Sequence, residues 1–236
     1  MNKKTQYEII LMLVIIVILF NLSIIYDSFF KEANNEYNIT SVGSNINGTV
    51  YKITAGNLSS NETIGLILGV HPREHEIHEE INKTIYEICN ENGTQNLTKK
   101  YVIYYVKTID NLTSHDETRL AGENLANQYI VPNIAEDNPF MVLDVHEINP
   151  YYDYSNFIFS ISNRNDAINS YIDKISNDVG LSDYSFTQGT SPEKVTKPIA
   201  NKGIDTLLME IDITSDYSKK QEIAKKLIES LDELTV

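Results

Sequence analysis

Two kinds of apolar spacing alternate along the chain from about residue 49 to its C-terminal end. Short, continuous apolar runs such as 63–70 and 140–145 are typical of buried strands. Between them, isoleucines recur at helical spacing, as at Ile77, Ile81 and Ile85, and form one apolar stripe. The pattern predicts strands at 49–54, 63–70, 101–109, 140–145, 157–161 and 205–211, and helices around 77–88, 120–129, 165–179 and 217–234.

Strands that alternate with helices in this way predict a three-layer α/β/α sandwich with a mostly parallel mixed sheet. In such sheets, ligands sit outside the carboxyl ends of the strands. His71, His146 and Glu210 each fall at or near the end of a predicted strand. We therefore expect these three polar side chains at the same edge of one sheet.

One apolar run differs from the others because it is longer and carries no charge in its interior. Residues 8–26 follow Lys3 and Lys4, and about 20 apolar residues are enough to span a bilayer. A cleaved signal peptide has a similar layout, but the bulky residues at 26–30 offer no small-residue cleavage site. Because the lysines favour the cytoplasm, we predict a cytoplasmic tail at 1–7, an N-terminal transmembrane signal anchor at 8–26, a polar stem at 27–48 and an extracytoplasmic catalytic domain at 49–236.

Composition narrows the range of partners. The net charge is −14, and no basic patch with interleaved aromatic residues occurs, which argues against nucleic acid as a partner. The single cysteine, Cys89, excludes an internal disulfide.

Sequons of the form N-x-S/T are typical of exported glycoproteins. In this chain they begin at Asn38, Asn47, Asn57, Asn61, Asn82, Asn92, Asn96 and Asn111.

The strand-end residues suit a catalytic zinc site. Such a site takes three protein ligands and keeps one position open, and two His with one Glu is a standard set. His71 and Glu74 lie three residues apart at a strand-to-loop turn, which can bring their side chains together. His146, at the end of another predicted strand, is the expected third ligand of one zinc ion.

Zinc lowers the pKa of bound water to about 7 and polarises a carbonyl, and a carboxylate must then take up the proton. Glu210 is the candidate for this general base, although Asp212 points to the same face of its strand. Asp144 or Glu147 could orient His146 by a hydrogen bond to its ring.

Three segments carry a family resemblance. GVHPREHEI, LDVHE and GIDTLLMEI resemble, in order, the first metal-binding segment, the third-ligand segment and the general-base strand of the carboxypeptidase A-like zinc peptidases. The resemblance covers about 49–234 and implies a shortened member of that family. It implies zinc at His71, Glu74 and His146, Glu210 as the catalytic base, and a substrate contact at Arg73. The related aspartoacylase and desuccinylase group usually lacks that arginine.

The chain also departs from the family pattern. The stretch 122–128 corresponds to the segment that usually carries a substrate-gripping Asn-Arg pair, and it contains no arginine. By order alone, Arg119 matches the family's oxyanion-stabilising arginine. Arg164 sits in an Asn-Arg pair but after the third ligand, and Tyr184 is the candidate for the substrate-covering tyrosine.

A rival motif overlaps the first segment. His71 to His75 also has the form H-x-x-E-H, in which both histidines bind zinc and the glutamate is the base. That arrangement needs both histidines on one helix face, whereas Pro72 favours a helix that begins only after His71. We therefore expect His75 and His78 on the helix surface or behind the ligands.

The sequence thus predicts a membrane-anchored, extracytoplasmic zinc hydrolase that cleaves peptide or amide bonds, with cell-wall peptides as one plausible substrate. A zinc deacylase of N-acyl amino acids or small amides is the first alternative. Its small anionic substrate would need a basic cluster, for which the available residues are Arg119, Arg164, Lys197 and Lys202. A non-catalytic surface glycoprotein is the second alternative.

Overall fold

The computed structural model describes Met12 and the ranges 35–90, 96–109, 114–152, 154–186 and 192–236. The predicted anchor at 8–26 lies outside these residues except for Met12. Among the described residues, no helix has the length and apolar character needed to cross a membrane.

The described residues form eight strands and five α-helices, with one 3₁₀ turn at Ile134–Asp137 and one π-helical turn at Pro192–Thr196. The strands are β1 (Asn35–Asn45), β2 (Gly48–Asn57), β3 (Thr63–Leu68), β4 (Lys100–Thr108), β5 (Met141–Ile148), β6 (Phe157–Ser160), β7 (Ser182–Asp183) and β8 (Asp205–Asp212). The helices are α1 (His75–Asn90), α2 (His115–Tyr129), α3 (Asp166–Val179), α4 (Lys197–Ala200) and α5 (Tyr217–Asp232).

All eight strands belong to one mixed sheet with the order β1-β2-β4-β3-β5-β8-β6-β7. The four central strands, β4, β3, β5 and β8, run parallel to one another. β2 and β1 continue the sheet antiparallel on one side, and β6 joins β8 antiparallel on the other. The sheet therefore has a parallel centre with antiparallel flanks, in agreement with the predicted α/β class.

Helices cover both faces of this sheet. In β3, Ile64, Leu66 and Leu68 pack into the core cluster that contains the apolar stripes of α1, α3 and α5. The alternate residue Ile67 packs on the opposite side, in the cluster with α2 and α4. A strand buried on both faces needs apolar residues at every position, which explains the continuous apolar run. The result is three layers.

Helix α2 is longer than the predicted 120–129. The side chain of Ser114 accepts a hydrogen bond of 3.1 Å from the amide of Glu117 and caps the first turn. Asp116 and Glu117 place negative charge at the positive end of the helix dipole. The added residues matter for the candidate site, because they include Arg119, which lines its cavity.

Part of the predicted stem at 27–48 is instead the edge strand β1. The Tyr37 hydroxyl donates to Asn82 Oδ1 at 2.7 Å, and the Asn35 side chain donates to the carbonyl of Leu97 at 3.0 Å. Polar composition misled the prediction, because an edge strand that is largely exposed needs few apolar residues. Residues 27–34 lie outside the described residues.

Candidate metal centre

The turn after β3 presents the first two predicted ligands. Gly69 has φ +77°, and a Cβ there would lie 2.3 Å from the carbonyl oxygen of Val106, so this turn requires glycine. The His71 carbonyl accepts from the Glu74 amide at 3.0 Å. This hydrogen bond closes a tight turn, and the two side chains come together, with His71 Nδ1 2.8 Å from Glu74 Oε1.

His146 and Glu210 lie on neighbouring parallel strands, β5 and β8. In the register of β5 with β8, His146 is paired directly with Glu210, so both side chains project from the same face of the sheet. His146 lies within β5, two residues before its end, rather than after it as the sequence suggested. The strand simply continues past the ligand.

Three donor atoms converge beside the β3 turn. His146 Nδ1 lies 3.1 Å from His71 Nδ1 and 2.9 Å from Glu74 Oε2. All three side chains are buried, and their ligand atoms lie within 4.8 Å of one another. Donors around a tetrahedral zinc at about 2.1 Å stand roughly 3.4 Å apart, so a small opening of this cluster fits one zinc ion. His71, Glu74 and His146 are therefore a suitable ligand set.

Each imidazole has a carboxylate at its other nitrogen. His146 Nε2 lies 3.1 Å from Asp144 Oδ1, and His71 Nε2 lies 3.3 Å from Glu123 Oε1. The first contact is close but poorly aligned for a hydrogen bond, and it is an ion pair when His146 is protonated. A carboxylate behind a metal-binding histidine fixes the ring orientation and increases its basicity. The paired carboxylates thus favour Nδ1 of both rings as the metal-binding atom.

Gly122 explains how Glu123 reaches His71. A Cβ at Gly122 would lie 1.8 Å from the carbonyl oxygen of Val70, so α2 packs directly against the backbone that leads into the β3 turn. Only glycine permits this approach without displacement of the helix. Glu123, the next residue, is thereby held in the buried space behind His71.

Arg119 also faces the site from α2. Its guanidinium donates to Glu74 Oε1 at 3.2 Å, and the residue borders the same cavity as His71 and Glu210. Arg119 and Glu123 are separated by one helical turn and therefore share a face of α2. The structure thus places a cation next to the candidate metal ligands, where sequence order had suggested one.

The charges of the cluster reinforce one another. Burial raises the pKa of Glu74, but hydrogen bonds from His146 and His71 outweigh it and hold that pKa well below its usual range. Burial lowers the pKa of His146, but Asp144 and Glu74 reverse this and raise it well above its usual value. The carboxylate of Glu74 therefore stays ionised, as a metal ligand must be.

Glu210 is in a different environment. Its Oε2 is buried and has no hydrogen-bond partner among the described residues. Burial raises its pKa to about 8, and the negative charges of Glu74 and Asp144 add to the effect. A divalent cation at the neighbouring ligands would favour the carboxylate again. A carboxyl group with a pKa close to the working pH is suited to proton transfer.

The raised pKa of Glu210 predicts a pH-dependent stability of the zinc-free protein. The folded state holds this proton from about pH 4.5 to pH 8, where the unfolded state has lost it, so stability falls as the pH rises through this interval. We expect the unfolding free energy of wild type to decline over this interval relative to Glu210→Gln, as measured by urea denaturation. Parallel curves of unfolding free energy against pH for the two proteins would contradict the raised pKa of Glu210.

The candidate ligands open into a cavity of about 360 Å³. Its polar lining includes His71, Glu74, Arg119 and Glu210, together with the exposed Arg73. The larger part of the exposed lining is apolar. It includes Pro72, Ile148, Tyr152, Phe186, Leu208 and Ile213.

Two of the predicted substrate-binding residues lie elsewhere. Arg164 is exposed and forms an ion pair with Asp183. Tyr184 stacks on Tyr154 with ring centroids 4.0 Å apart and packs edge-on against Phe157. Neither Arg164 nor Tyr184 is among the described residues that line the cavity.

His75 and His78 lie in different environments. His75 is exposed and pairs with Glu79 one helical turn away, outside the donor cluster. His78 is fully buried, accepts from the Gly69 amide at 3.1 Å and lies 2.8 Å from the Val145 carbonyl. Burial lowers the pKa of His78 to about 4, so its neutral ring links the ends of β3 and β5.

Sequence reasoning missed three residues behind the ligands. Glu123 lies in the stretch 122–128, which was compared above with a substrate-gripping segment and not with a partner of a metal ligand. Lys194 and Thr196 lie between the predicted helix at 165–179 and the predicted strand at 205–211, and they contact Glu123 and Asp144 respectively. The i, i+4 spacing of Arg119 and Glu123 was the one available signal, and it becomes informative only once α2 is known to begin at His115.

Comparisons with known proteins give a consistent result for the fold. No protein-family model matches the chain, and no curated protein matches its sequence. Among solved structures, a metallo-carboxypeptidase from Burkholderia cenocepacia matches with a TM-score of 0.61 and 8% identity, over 88% of this chain and 66% of that one.

Two further solved structures have a similar fold. A metallo-carboxypeptidase from Pseudomonas aeruginosa, solved with (2-guanidinoethylmercapto)succinic acid, matches with a TM-score of 0.56 and 9% identity, over 82% of this chain and 64% of that one. The LapA aminopeptidase of Legionella pneumophila matches at 0.55 and 10% identity, over 88% of this chain and 62% of that one. The chain thus spans slightly less than two thirds of these structures. The predicted resemblance to the carboxypeptidase A-like zinc peptidases is confirmed at the level of the fold.

Proposed function

We propose that this chain is a zinc-dependent hydrolase that cleaves a peptide or amide bond. The observation that carries the proposal is the convergence of His71, Glu74 and His146 on one point, with Glu210 on the adjacent strand. A binding module would have no need for a buried, ionisable carboxyl group beside a complete ligand set, with one oxygen that has no hydrogen-bond partner among the described residues. The fold shared with metallo-carboxypeptidases and an aminopeptidase supports the same class of reaction.

Bound zinc would supply an acidified water and a polarised substrate carbonyl. Glu210 would accept the proton of the attacking water and deliver it to the leaving amine. Arg119, which contacts Glu74, would donate to the oxygen on which negative charge develops. Its present partner, Glu74 Oε1, shows that the guanidinium reaches the ligand cluster.

The cavity favours a peptide or amide with an apolar group over a small anionic acid. Its described lining contains two arginines, Arg73 and Arg119, and no lysine, and Arg119 already contacts Glu74. The deacylase alternative would need more positive charge to hold a dicarboxylate. Hydrolysis rates on a peptide library and on N-acyl amino acids, measured side by side, separate the two substrate classes.

Anchoring and location form a further part of the proposal. The apolar run at 8–26 with its preceding lysines supports a membrane-anchored enzyme that faces outside the cell. An enzyme held there would meet the peptides of the cell wall. The sequons at 38–111 support the same location and N-glycosylation.

Zinc content tests the assignment of the ligands. We expect one zinc ion per chain in wild type and almost none in His71→Ala, because loss of one of three ligands leaves too few donors. Hydrolysis should be lost with the metal. Metal analysis by mass spectrometry and a peptidase assay measure the two effects.

His75→Ala is the matched control, since this exposed histidine is four residues away and would be a ligand in the H-x-x-E-H arrangement. It should keep both zinc and activity. Loss of zinc from His75→Ala with retention in His71→Ala would show that the ligands are wrongly assigned. Wild-type protein without zinc would contradict the enzymatic proposal.

A further inference from the structure

A single short turn touches both carboxylates that stand behind the candidate zinc ligands. In the π-helical turn Pro192–Thr196, the Thr196 hydroxyl donates to Asp144 Oδ2 at 2.6 Å. Two residues earlier, Lys194 Nζ lies 2.9 Å from Glu123 Oε2. Asp144 faces His146 and Glu123 faces His71 with their other oxygens.

The turn is itself held firmly in place. Val195, between the two contacting residues, is fully buried in the core cluster that includes Leu125 of α2. The side chain of Asn127, also in α2, donates to the Lys194 carbonyl at 2.7 Å. The turn and α2 therefore pack together on the face of the sheet opposite α1.

Each carboxylate has a close contact at both of its oxygens. Asp144 and Thr196 are both completely buried, so the Thr196 hydroxyl replaces the water that an exposed aspartate would bind. Glu123 is also buried, whereas Lys194 keeps about a third of its side chain exposed, 37%. A carboxylate fixed at one oxygen has less freedom to rotate at the other, where the imidazole is bound.

We propose that Lys194 and Thr196 are positioning residues that set the affinity of this centre for zinc, acting on His71 through Glu123 and on His146 through Asp144. The proposal rests on the proposed function, because it assumes that these histidines bind the metal. Partners of the atoms that orient metal ligands commonly contribute 10- to 100-fold to affinity. Neither residue is among the described residues that line the cavity.

The first test is the zinc dissociation constant of the full chain in detergent, measured by competition with a chromophoric chelator. Thr196→Val keeps the shape of the side chain and removes only the hydroxyl. We expect zinc binding to weaken about 10- to 100-fold. Thr196→Ser restores the hydroxyl and should bind zinc within about threefold of wild type.

Lys194 gives an independent test with a diagnostic sign. On charge alone, removal of a cation near the metal would strengthen zinc binding. The positioning role predicts the opposite, so Lys194→Met should bind zinc about 10-fold more weakly, and Lys194→Arg should restore binding. Lys197→Met is the control, because Lys197 is exposed and pairs with Glu193.

Cobalt substitution reports on geometry rather than on affinity. The visible absorption of bound Co²⁺ depends on the arrangement of its ligands, so Thr196→Val and Lys194→Met should shift that spectrum and Lys197→Met should not. A purely structural contribution would lower the unfolding temperature and leave the spectrum unchanged.

The outcomes distinguish this inference from the proposed function. Wild-type protein that binds no zinc would overturn both. Wild-type protein that binds zinc, with Thr196→Val and Lys194→Met equal to it or tighter, would overturn the positioning role alone. If Thr196→Val does not fold, the Lys194 variants decide, because that partly exposed side chain tolerates methionine.

Discussion

Replacement of Glu210 with glutamine is expected to reduce kcat by about 10²- to 10⁴-fold and to leave zinc binding intact. Glutamine has nearly the same shape but cannot accept the proton of the attacking water. Glu210 is not one of the three converging ligands, so the metal should stay. Steady-state hydrolysis of a peptide substrate, together with zinc analysis of the same samples, measures both effects.

Asp212→Asn is the matched control for Glu210→Gln. Asp212 lies on the same strand and the same face two residues later, and its side chain accepts from the Thr214 amide at 2.8 Å. We expect its removal to change kcat by less than about threefold, far below the effect of a lost general base. Loss of activity in Asp212→Asn with retention in Glu210→Gln would move the general base to Asp212.

Replacement of Lys220 with methionine is expected to lower the unfolding free energy by about 3 kcal/mol. Its side chain is completely buried, and Nζ lies 2.7 Å from Glu147 Oε1 and 2.6 Å from Glu76 Oε2. Removal of the cation would leave the buried Glu147 uncompensated, which commonly costs about 3–5 kcal/mol. The lower end applies because Glu76 remains partly exposed to water. Urea denaturation of zinc-free protein measures the change.

Lys225→Met on the same helix is the comparison. Lys225 is exposed and pairs only loosely with Glu229, at 3.9 Å, so its loss should change the unfolding free energy by less than about 0.5 kcal/mol. The double variant Lys220→Met with Glu147→Gln should recover much of the lost stability, because it removes the orphaned charge. Equal stability of Lys220→Met and Lys225→Met would mean that the buried ion pairs contribute no net stabilisation.

The residues whose proximity was predicted from the sequence share one property. His71 and Glu74 are specified locally, by an apolar run that ends in a glycine turn with the ligands at fixed spacing. His146 and Glu210 each close a similar apolar run, and the carboxyl ends of parallel strands meet at one edge. Local pattern and topology were therefore enough to predict that these four residues, which are far apart in the sequence, lie close together in the fold.

The residues that were missed depend on packing between distant segments. Glu123 reaches His71 because Gly122 lets α2 touch the backbone at Val70, and no periodicity encodes that approach. Thr196 became a partner of Asp144 only because a segment with loop composition folds into a π-helical turn. Likewise, Arg164 had the right neighbours in sequence but is paired with Asp183 on the surface.

The edge strand β1 has a practical consequence for solubility. A shortened protein beginning at residue 49, as the sequence alone would have suggested, would leave the backbone donors and acceptors of β2 without their antiparallel partner. An uncovered edge of this kind recruits strands from other molecules and leads to aggregation. β1 shields it with a largely exposed, asparagine-rich strand, in which Asn38 starts a sequon. We therefore expect the Asn-rich strand to limit edge-to-edge pairing between molecules.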